Sequence, residues 1–201
     1  MSIENTFWRW AVALWRSSEL ESQLLQLQDS HGLVVLELLF AAWLGDRGVK
    51  IAEPDRQALQ SACDCWVKGV VIPLREQRKQ WADDRETQWC RDAIKTLELQ
   101  AEKKLSERLV AVAQEQGLLR ALHAGVDGPD LDGPDVNGSD VDGPDEDGSD
   151  VDGPDDAGVE EAMRHNITCI LRAVRPPINE SAAITLSRLV ASIAHTNGKI
   201  N

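Results

Sequence analysis

Apolar residues recur every three or four positions through most of this chain, the spacing of one face of an α-helix. The first such stripe runs from Phe7 to Trp15, and the second carries Leu20, Leu24 and Leu27. No stretch alternates between apolar and polar residues with the period of two that a half-buried strand shows. The pattern predicts an all-α fold built as a compact helical bundle.

One segment is apolar on all sides. Nearly every residue from Leu33 to Leu44 is apolar, and Glu37 is the exception. A helix without a polar face is expected to lie at the centre of a bundle. The polar run 29–32 before it predicts a break, and the run 45–48 after it predicts a turn.

The later stripes predict four more helices. One begins near Pro54 and is expected to kink or restart at Pro73, because proline lacks the N–H that the helix needs. A long helix is expected from about Arg85 to Gln116, with an inward stripe that includes Leu97. Two C-terminal stripes follow, one ended by Pro176-Pro177 and the other running from Ile184 to Ile193. The stripe residues expected to face inward in the long helix are Cys90, Ile94, Leu97, Ala101, Leu105, Leu109 and Val112.

Residues 126–155 are six copies of a five-residue unit of the type Val-Asp-Gly-Pro-Asp. The span 127–156 holds 13 acidic and no basic residues, and without it the chain has 21 acidic and 21 basic residues. Glycine, proline and charge repulsion all oppose compact structure, so this tract is predicted to be a disordered tether. The predicted division is a helical body at 1–122, the tether at 123–157 and a C-terminal helical pair at 158–201.

The tract is interpreted as a solubilising spacer, with capture of a basic partner by residues 126–156 as an alternative. Its acids are spaced two and three apart, which misses the ligand positions of an EF-hand calcium loop. The neutral body argues against direct nucleic-acid binding, since residues 68–126 hold 11 basic and 9 acidic residues and form no basic groove. Its seven Trp are therefore expected to be mostly core.

Other classes of protein find little support in the sequence. No apolar segment is long enough to span a membrane. The four Cys have no regular spacing, which indicates reduced thiols in a cytoplasmic protein and gives no metal-ligand pattern. Cys63 and Cys65 lie on different sides of one predicted helix, so Cys63 is expected to be a small core residue. No nucleotide-binding, hydrolase or metalloprotease motif occurs, so no cofactor is expected.

Glu37 is the most informative single residue, because an ionised carboxylate inside an apolar helix is costly unless it is paired. Arg9, Arg75 or Arg78 are candidate partners. A structural ion pair and a partly exposed edge position are open alternatives to a general acid or base of raised pKa.

Asp29 and His31 are two further candidates. They are expected either to cap helix ends or to act as an acid–base pair. If the protein has a ligand or substrate pocket between its helices, Asp29, His31, Glu37, Arg75 and Arg78 are the binding candidates expected to surround it.

Four sequence blocks in a fixed order resemble a family of small bacterial proteins, the domain of unknown function 2390. They are F-W-R-W-A at Phe7–Ala11, L-Q-D-S-H-G at Leu27–Gly32, L-L-F-A-A-W-L at Leu38–Leu44 and P-L-R-E-Q-R at Pro73–Arg78. The resemblance spans roughly residues 5–115 and implies a cytoplasmic helical protein without supplying an activity. Members of that family usually show Asp and Asn at the positions of Val34 and Leu36 and an apolar residue at that of Glu37, so the resemblance does not extend to these positions of the third helix.

With apolar helical faces and no catalytic constellation, the leading hypothesis is a non-enzymatic interaction or scaffold module that binds a protein partner. The alternatives are a small-ligand binder or enzyme with a pocket between helices, and the acidic tract acting on a basic partner.

Overall fold

The computed structural model describes residues 3–16, 18–81, 85–120, 156–172 and 188–193. These residues contain helices and turns but no strand, which confirms the all-α prediction for the described part of the chain. None of the described helices is long and apolar enough to cross a membrane. The helices are α1 (Ile3–Trp15), α2 (Ser18–His31), α3 (Val35–Asp46), α4 (Glu53–Trp66), α5 (Ile72–Gln80), α6 (Gln88–Glu115) and α7 (Asp156–Arg172), with further helical residues at 188–193.

The central helix is α3, as its uniformly apolar sequence predicted. Ten of its twelve residues are buried, and α1, α2, α6 and α7 all pack against it. Phe7 of α1 meets Phe40 edge-on, with ring centroids 5.0 Å apart, and Phe40 stacks on Trp43 at 5.6 Å. Such aromatic contacts add to the free energy gained from burying the rings.

Both breaks that were predicted around α3 needed adjustment. α2 continues through His31 and ends at Gly32, whose φ of 64° suits a residue without a Cβ. The break predicted from Asp29 was therefore placed too early. The turn predicted from Gly45 begins only at Arg47, because Gly45 and Asp46 complete the last turn of α3.

The helix that was expected to kink or restart at Pro73 contains a π-helical segment just before this proline. Between α4 and α5, residues Val67–Val71 form one π-turn, and the Ile72 N–H donates to the Val67 carbonyl five residues back. Proline cannot donate to the carbonyl four residues before it, and a wider turn is one way to accommodate that loss.

α6 is about 42 Å long by its rise per residue, and only its second half is well covered. Its buried residues begin at Glu98 and continue through Ala101, Leu105 and Leu109. The prediction that Leu97 faces inward is wrong, since its side chain is 50 % exposed. Glu98 takes the inward position because arginine side chains from α5 bind its carboxylate.

α7 lies against α3 at very short range. A Cβ added to Gly45 would lie 2.3 Å from Met163 Cα. This distance is shorter than a normal nonbonded contact, so the two backbones would have to move apart. Met163 and Ile167 are buried in the same core cluster as the residues of α3. The apolar stripe predicted for this C-terminal helix is thus covered by the body of the protein.

Asn166 fixes the register of this contact. Its side chain is completely buried, and its Oδ1 accepts the Ile51 N–H at 2.7 Å. Its Nδ2 donates to the Val49 carbonyl at 2.7 Å and to the Ala41 carbonyl at 3.1 Å. One amide therefore satisfies backbone groups of both α3 and the segment that follows it, which would otherwise be costly to bury.

Several sequence predictions fall outside the described residues. They include the acidic tether up to residue 155, the Pro176-Pro177 helix end and the first part of the last predicted helix. Within 188–193, Leu189, Val190 and Ile193 are buried in the core cluster.

The Gly45 contact can be tested by adding one methyl group. We expect Gly45→Ala to lower the free energy of unfolding by about 2 kcal/mol or more, because the methyl has no room against the α7 backbone. Gly69→Ala is the control, because a Cβ at this position meets nothing within 4 Å. We expect the control to be neutral or stabilising by up to about 1 kcal/mol. Equal effects of the two changes on urea unfolding would contradict the close approach.

Candidate functional site

A cavity of about 320 Å³ lies between α3, α4, the π segment, α6 and α7. This volume falls at the lower end of the range of small-molecule pockets, about 300–1,000 Å³. Ile51, whose backbone N–H donates to Asn166 Oδ1, also lines the cavity. The walls are mainly apolar and include Phe40, Ala41, Leu59, Val67, Leu109 and Ile170.

Polar side chains lie on the same wall. Lys68 binds Asp64 one helical turn away, and Arg56 binds Glu53 and also donates to Gln60 Oε1 at 2.8 Å. Both cationic side chains of the cavity wall are therefore already paired with acids or amides on their own helical stretch. The polar lining residues are His31, Glu37, Arg56, Gln60, Asp64 and Lys68.

Glu37 is the unusual member of this set. Burial, together with the negative charge of Asp64, raises the pKa of its carboxyl from 4.5 to about 7, while the positive charge of Lys68 opposes the shift. Within the described part of the chain, no hydrogen bond or ion pair joins Glu37 to Arg9, Arg75, Arg78 or any other side chain. The expected arginine partner is thus absent there, and the carboxyl is left to carry a proton near neutral pH.

Arg75 and Arg78 instead bind carboxylates of α6. Arg75 Nε donates to Glu98 Oε1 at 3.1 Å, and Arg75 Nη2 donates to Glu102 Oε1 at 2.9 Å. Arg78 Nε binds the second oxygen of Glu98, and this hydrogen bond raises the Arg78 pKa. Burial raises the pKa of Glu102, while Arg75 opposes that shift. We call these four residues the α5–α6 ion cluster, and its geometry indicates a structural clamp.

Asp29 also forms an ion pair, with Lys79 of α5. Its carboxylate accepts from Lys79 Nζ at 2.6 Å, and this bond holds the Asp29 pKa below its ordinary value. The capping role expected for Asp29 is wrong, because it lies inside α2 and α3 begins after Val34 without a side-chain cap. The structure shows no hydrogen bond between Asp29 and His31 among the described residues.

The structure therefore brings only two of the five binding candidates to the cavity. His31 and Glu37 line the cavity, whereas Asp29, Arg75 and Arg78 form ion pairs outside its lining. Sequence reasoning missed Asp64 and Lys68, which share the wall with Glu37. Their spacing of four residues on a helix was a usable signal.

No cysteine in the described residues lines the cavity. Cys63 is fully buried as predicted, and burial raises the pKa of its thiol to about 12. Cys65 is exposed on the other side of α4. No group of three or more potential metal ligands occurs in the parts of the chain that the structure describes.

A second surface feature lies near the start of α6, before the buried position of Glu98. Trp89 is 74 % exposed, and Ala93 and Leu97 follow it at intervals of four residues on one side of the helix. We call these three residues the Trp89 face. Most Trp side chains pack on the core as expected, but Trp89 does not. A large exposed apolar side chain of this kind is typical of interaction surfaces.

Comparison with models of protein families matches residues 6–109 to a family described as Protein of unknown function (DUF2390). The comparisons with curated proteins and with solved structures found no match. The matched region covers α1 to most of α6 and includes Glu37 and the α5–α6 ion cluster, whereas α7 lies beyond it.

The α5–α6 ion cluster is expected to show strong coupling. Removing either Arg75 or Glu98 by substitution to Gln leaves a partly buried charge unpaired and should cost about 3 kcal/mol. A double-mutant cycle of these substitutions should give a coupling energy of about 2 kcal/mol. The exposed Lys104–Glu107 pair, joined at 2.7 Å, is the control and should give less than about 0.5 kcal/mol. Equal coupling in the two pairs would contradict a clamp.

The raised pKa of Glu37 makes a signed prediction about pH. The Glu37 carboxyl holds its proton more tightly in the folded state than in the unfolded state. The stability that this adds is therefore fully present below about pH 4.5 and is lost as the pH rises through about 7. Glu37→Gln removes the titration. We expect it to be more stabilising at about pH 8 than at about pH 5, by a difference on the order of 2 kcal/mol.

Denaturant unfolding at the two pH values measures this difference directly. Glu76→Gln, at an exposed position of α5, is the matched control and should show no such dependence on pH. The burial of Glu37 would be contradicted by a Glu37→Gln effect that is the same at both pH values.

Proposed function

The chain belongs to the family described as Protein of unknown function (DUF2390), and from that premise we propose that it is a non-enzymatic helical module that binds a small, mainly apolar molecule. The observation that carries this function is the cavity between α3, α4, α6 and α7, with its apolar walls and the Glu37 carboxyl, which no side chain in the described residues binds. Pockets of this composition bind ligands by apolar contact and use a few polar groups to orient them.

Local structure at the cavity supports the same function. Val67 and Lys68 reach the wall from the π segment, and such segments occur frequently at functional sites. Asp29, Arg75 and Arg78, which the sequence offered as further candidates, form ion pairs outside the cavity lining. The irregularly spaced free cysteines fit a cytoplasmic location for this module.

Benzyl alcohol is a suitable neutral probe of the cavity. We expect it to bind the full chain with a Kd on the order of 1 mM and to shift amide resonances of α3, α4 and α7 in protein NMR spectra. Leu59→Trp adds side-chain volume inside the cavity and should abolish these shifts. Leu25→Trp places the same ring at an exposed site on α2 and should preserve them. Shifts scattered over the surface of the wild-type protein would count against a cavity ligand, whatever the Leu59 variant does.

The Trp89 face supports a second function, the protein-interaction module that the sequence favoured. Tryptophan is among the residues that contribute most binding energy when an interface covers them. We expect Trp89→Ser to lose a protein that co-purifies with the wild-type chain, because the substitution removes the largest apolar side chain of this face. Leu25→Ser, which changes an exposed leucine on α2, should retain that protein. Retention by both variants would rule out the Trp89 face as the binding surface.

The acidic repeat remains a separate proposal, that residues 126–156 capture a basic partner. Its support is the concentration of 13 acidic residues in this span. Such binding would weaken steeply with salt and would disappear when residues 126–156 are deleted.

A further inference from the structure

Resting on the ligand-binding function proposed above, we propose that the cavity selects a small organic cation, an ammonium group on an apolar body, with Glu37 as its counter-ion. The two cationic side chains of the wall are already bound, Lys68 to Asp64 and Arg56 to Glu53. Glu37 has no such partner among the described residues. Among the described residues, the charged group of the cavity wall that has no hydrogen-bonded partner is therefore an acid, and Lys68 acts on it only through its charge.

The preference for a cation follows from a half-buried carboxyl that no described side chain binds. An ammonium group supplies both the opposite charge and N–H donors, and charge-assisted hydrogen bonds of this kind are among the strongest in proteins. A carboxylate ligand would instead place a third acid beside Glu37 and Asp64, and like charges at short range repel. A neutral ligand would fill the apolar space but would leave the charge of Glu37 uncompensated.

The walls argue for an organic cation over a metal ion. Phe40, Leu59, Leu109 and Ile170 offer carbon surface, which cannot replace the water of a strongly hydrated inorganic ion. Divalent ions such as Ca²⁺ also require six or more oxygen ligands. Among the described residues no cluster of three or more potential metal ligands occurs.

The affinity of a cationic ligand should depend on pH, whereas the affinity of a neutral apolar ligand should not. Glu37, with a pKa of about 7, must lose its proton before it can pair with an ammonium group. Binding of a permanently protonated amine should therefore release a proton and tighten as pH rises. The affinity should increase by about tenfold between about pH 6 and about pH 8, as the ionised fraction of Glu37 increases.

Three probes of one shape and different charge test the inference on the full chain. They are benzylamine, benzyl alcohol and benzoate, compared by NMR titration and by calorimetry at about pH 8. We expect benzylamine to bind at least about tenfold more tightly than the alcohol, and benzoate to bind most weakly. In two buffers of different ionisation enthalpy, the binding heat of benzylamine at about pH 7 should show proton release.

Glu37→Gln should reduce benzylamine binding to the level of benzyl alcohol and remove the pH dependence. Glu115→Gln, at an exposed site near the end of α6, should leave both unchanged. If the Glu37 variant fails to fold, the pH dependence and proton release of the wild-type chain still decide the question.

The failures of the two proposals are distinguishable. Equal affinity for amine and alcohol, or preference for benzoate, overturns the cation inference and leaves the ligand-binding function standing. Binding of none of the three probes contradicts the ligand-binding function itself, and the cation inference with it.

Discussion

The contact between α3 and α7 is the constraint on which the rest of the structure depends. The central helix is apolar on all sides, so every side of it must be covered, and α7 covers one of them. Two residues allow this at short range. Gly45 leaves room for the backbone of Met163. The buried side-chain amide of Asn166 forms hydrogen bonds with backbone groups that this close approach would otherwise bury without a partner. Shape and hydrogen bonding thus specify the same register.

The candidate cavity is a consequence of that contact. Ile170 of α7 supplies part of its wall, and α7 also holds Ile51, because Asn166 accepts the Ile51 N–H and His165 donates to the Ile51 carbonyl. The family match ends at residue 109, yet α7 lies inside the core. A segment outside the matched region therefore completes the enclosure around Glu37, a residue inside that region. The Trp89 face lies on the part of α6 that lacks such cover.

Local patterns predicted the helices well, but not the contacts that depend on distant residues. The apolar run of α3 identified the central helix, since burial on all sides is a property of its own sequence. In α6 the sequence predicted that Leu97 faces inward, because it is apolar. Glu98 takes that position instead, since Arg75 and Arg78 of α5 bind its carboxylate. The role of Asn166 could not be predicted, since its partners lie more than a hundred residues away. Glu37 was singled out as an acid in an apolar helix, and its partly exposed position was one of the open alternatives, but its neighbours Asp64 and Lys68 were not identified.

Native-state hydrogen exchange tests most directly whether α7 is an integral part of the core. We expect the amides in the middle of α7 and the Ile51 N–H to exchange with the same free energy of opening as those of α3, because all three depend on one packed contact. Protection of α3 at the free energy of global unfolding, together with exchange of α7 through a much smaller opening, would contradict this account. In that case α7 would be a separable appendage, and the cavity would lose a permanent wall.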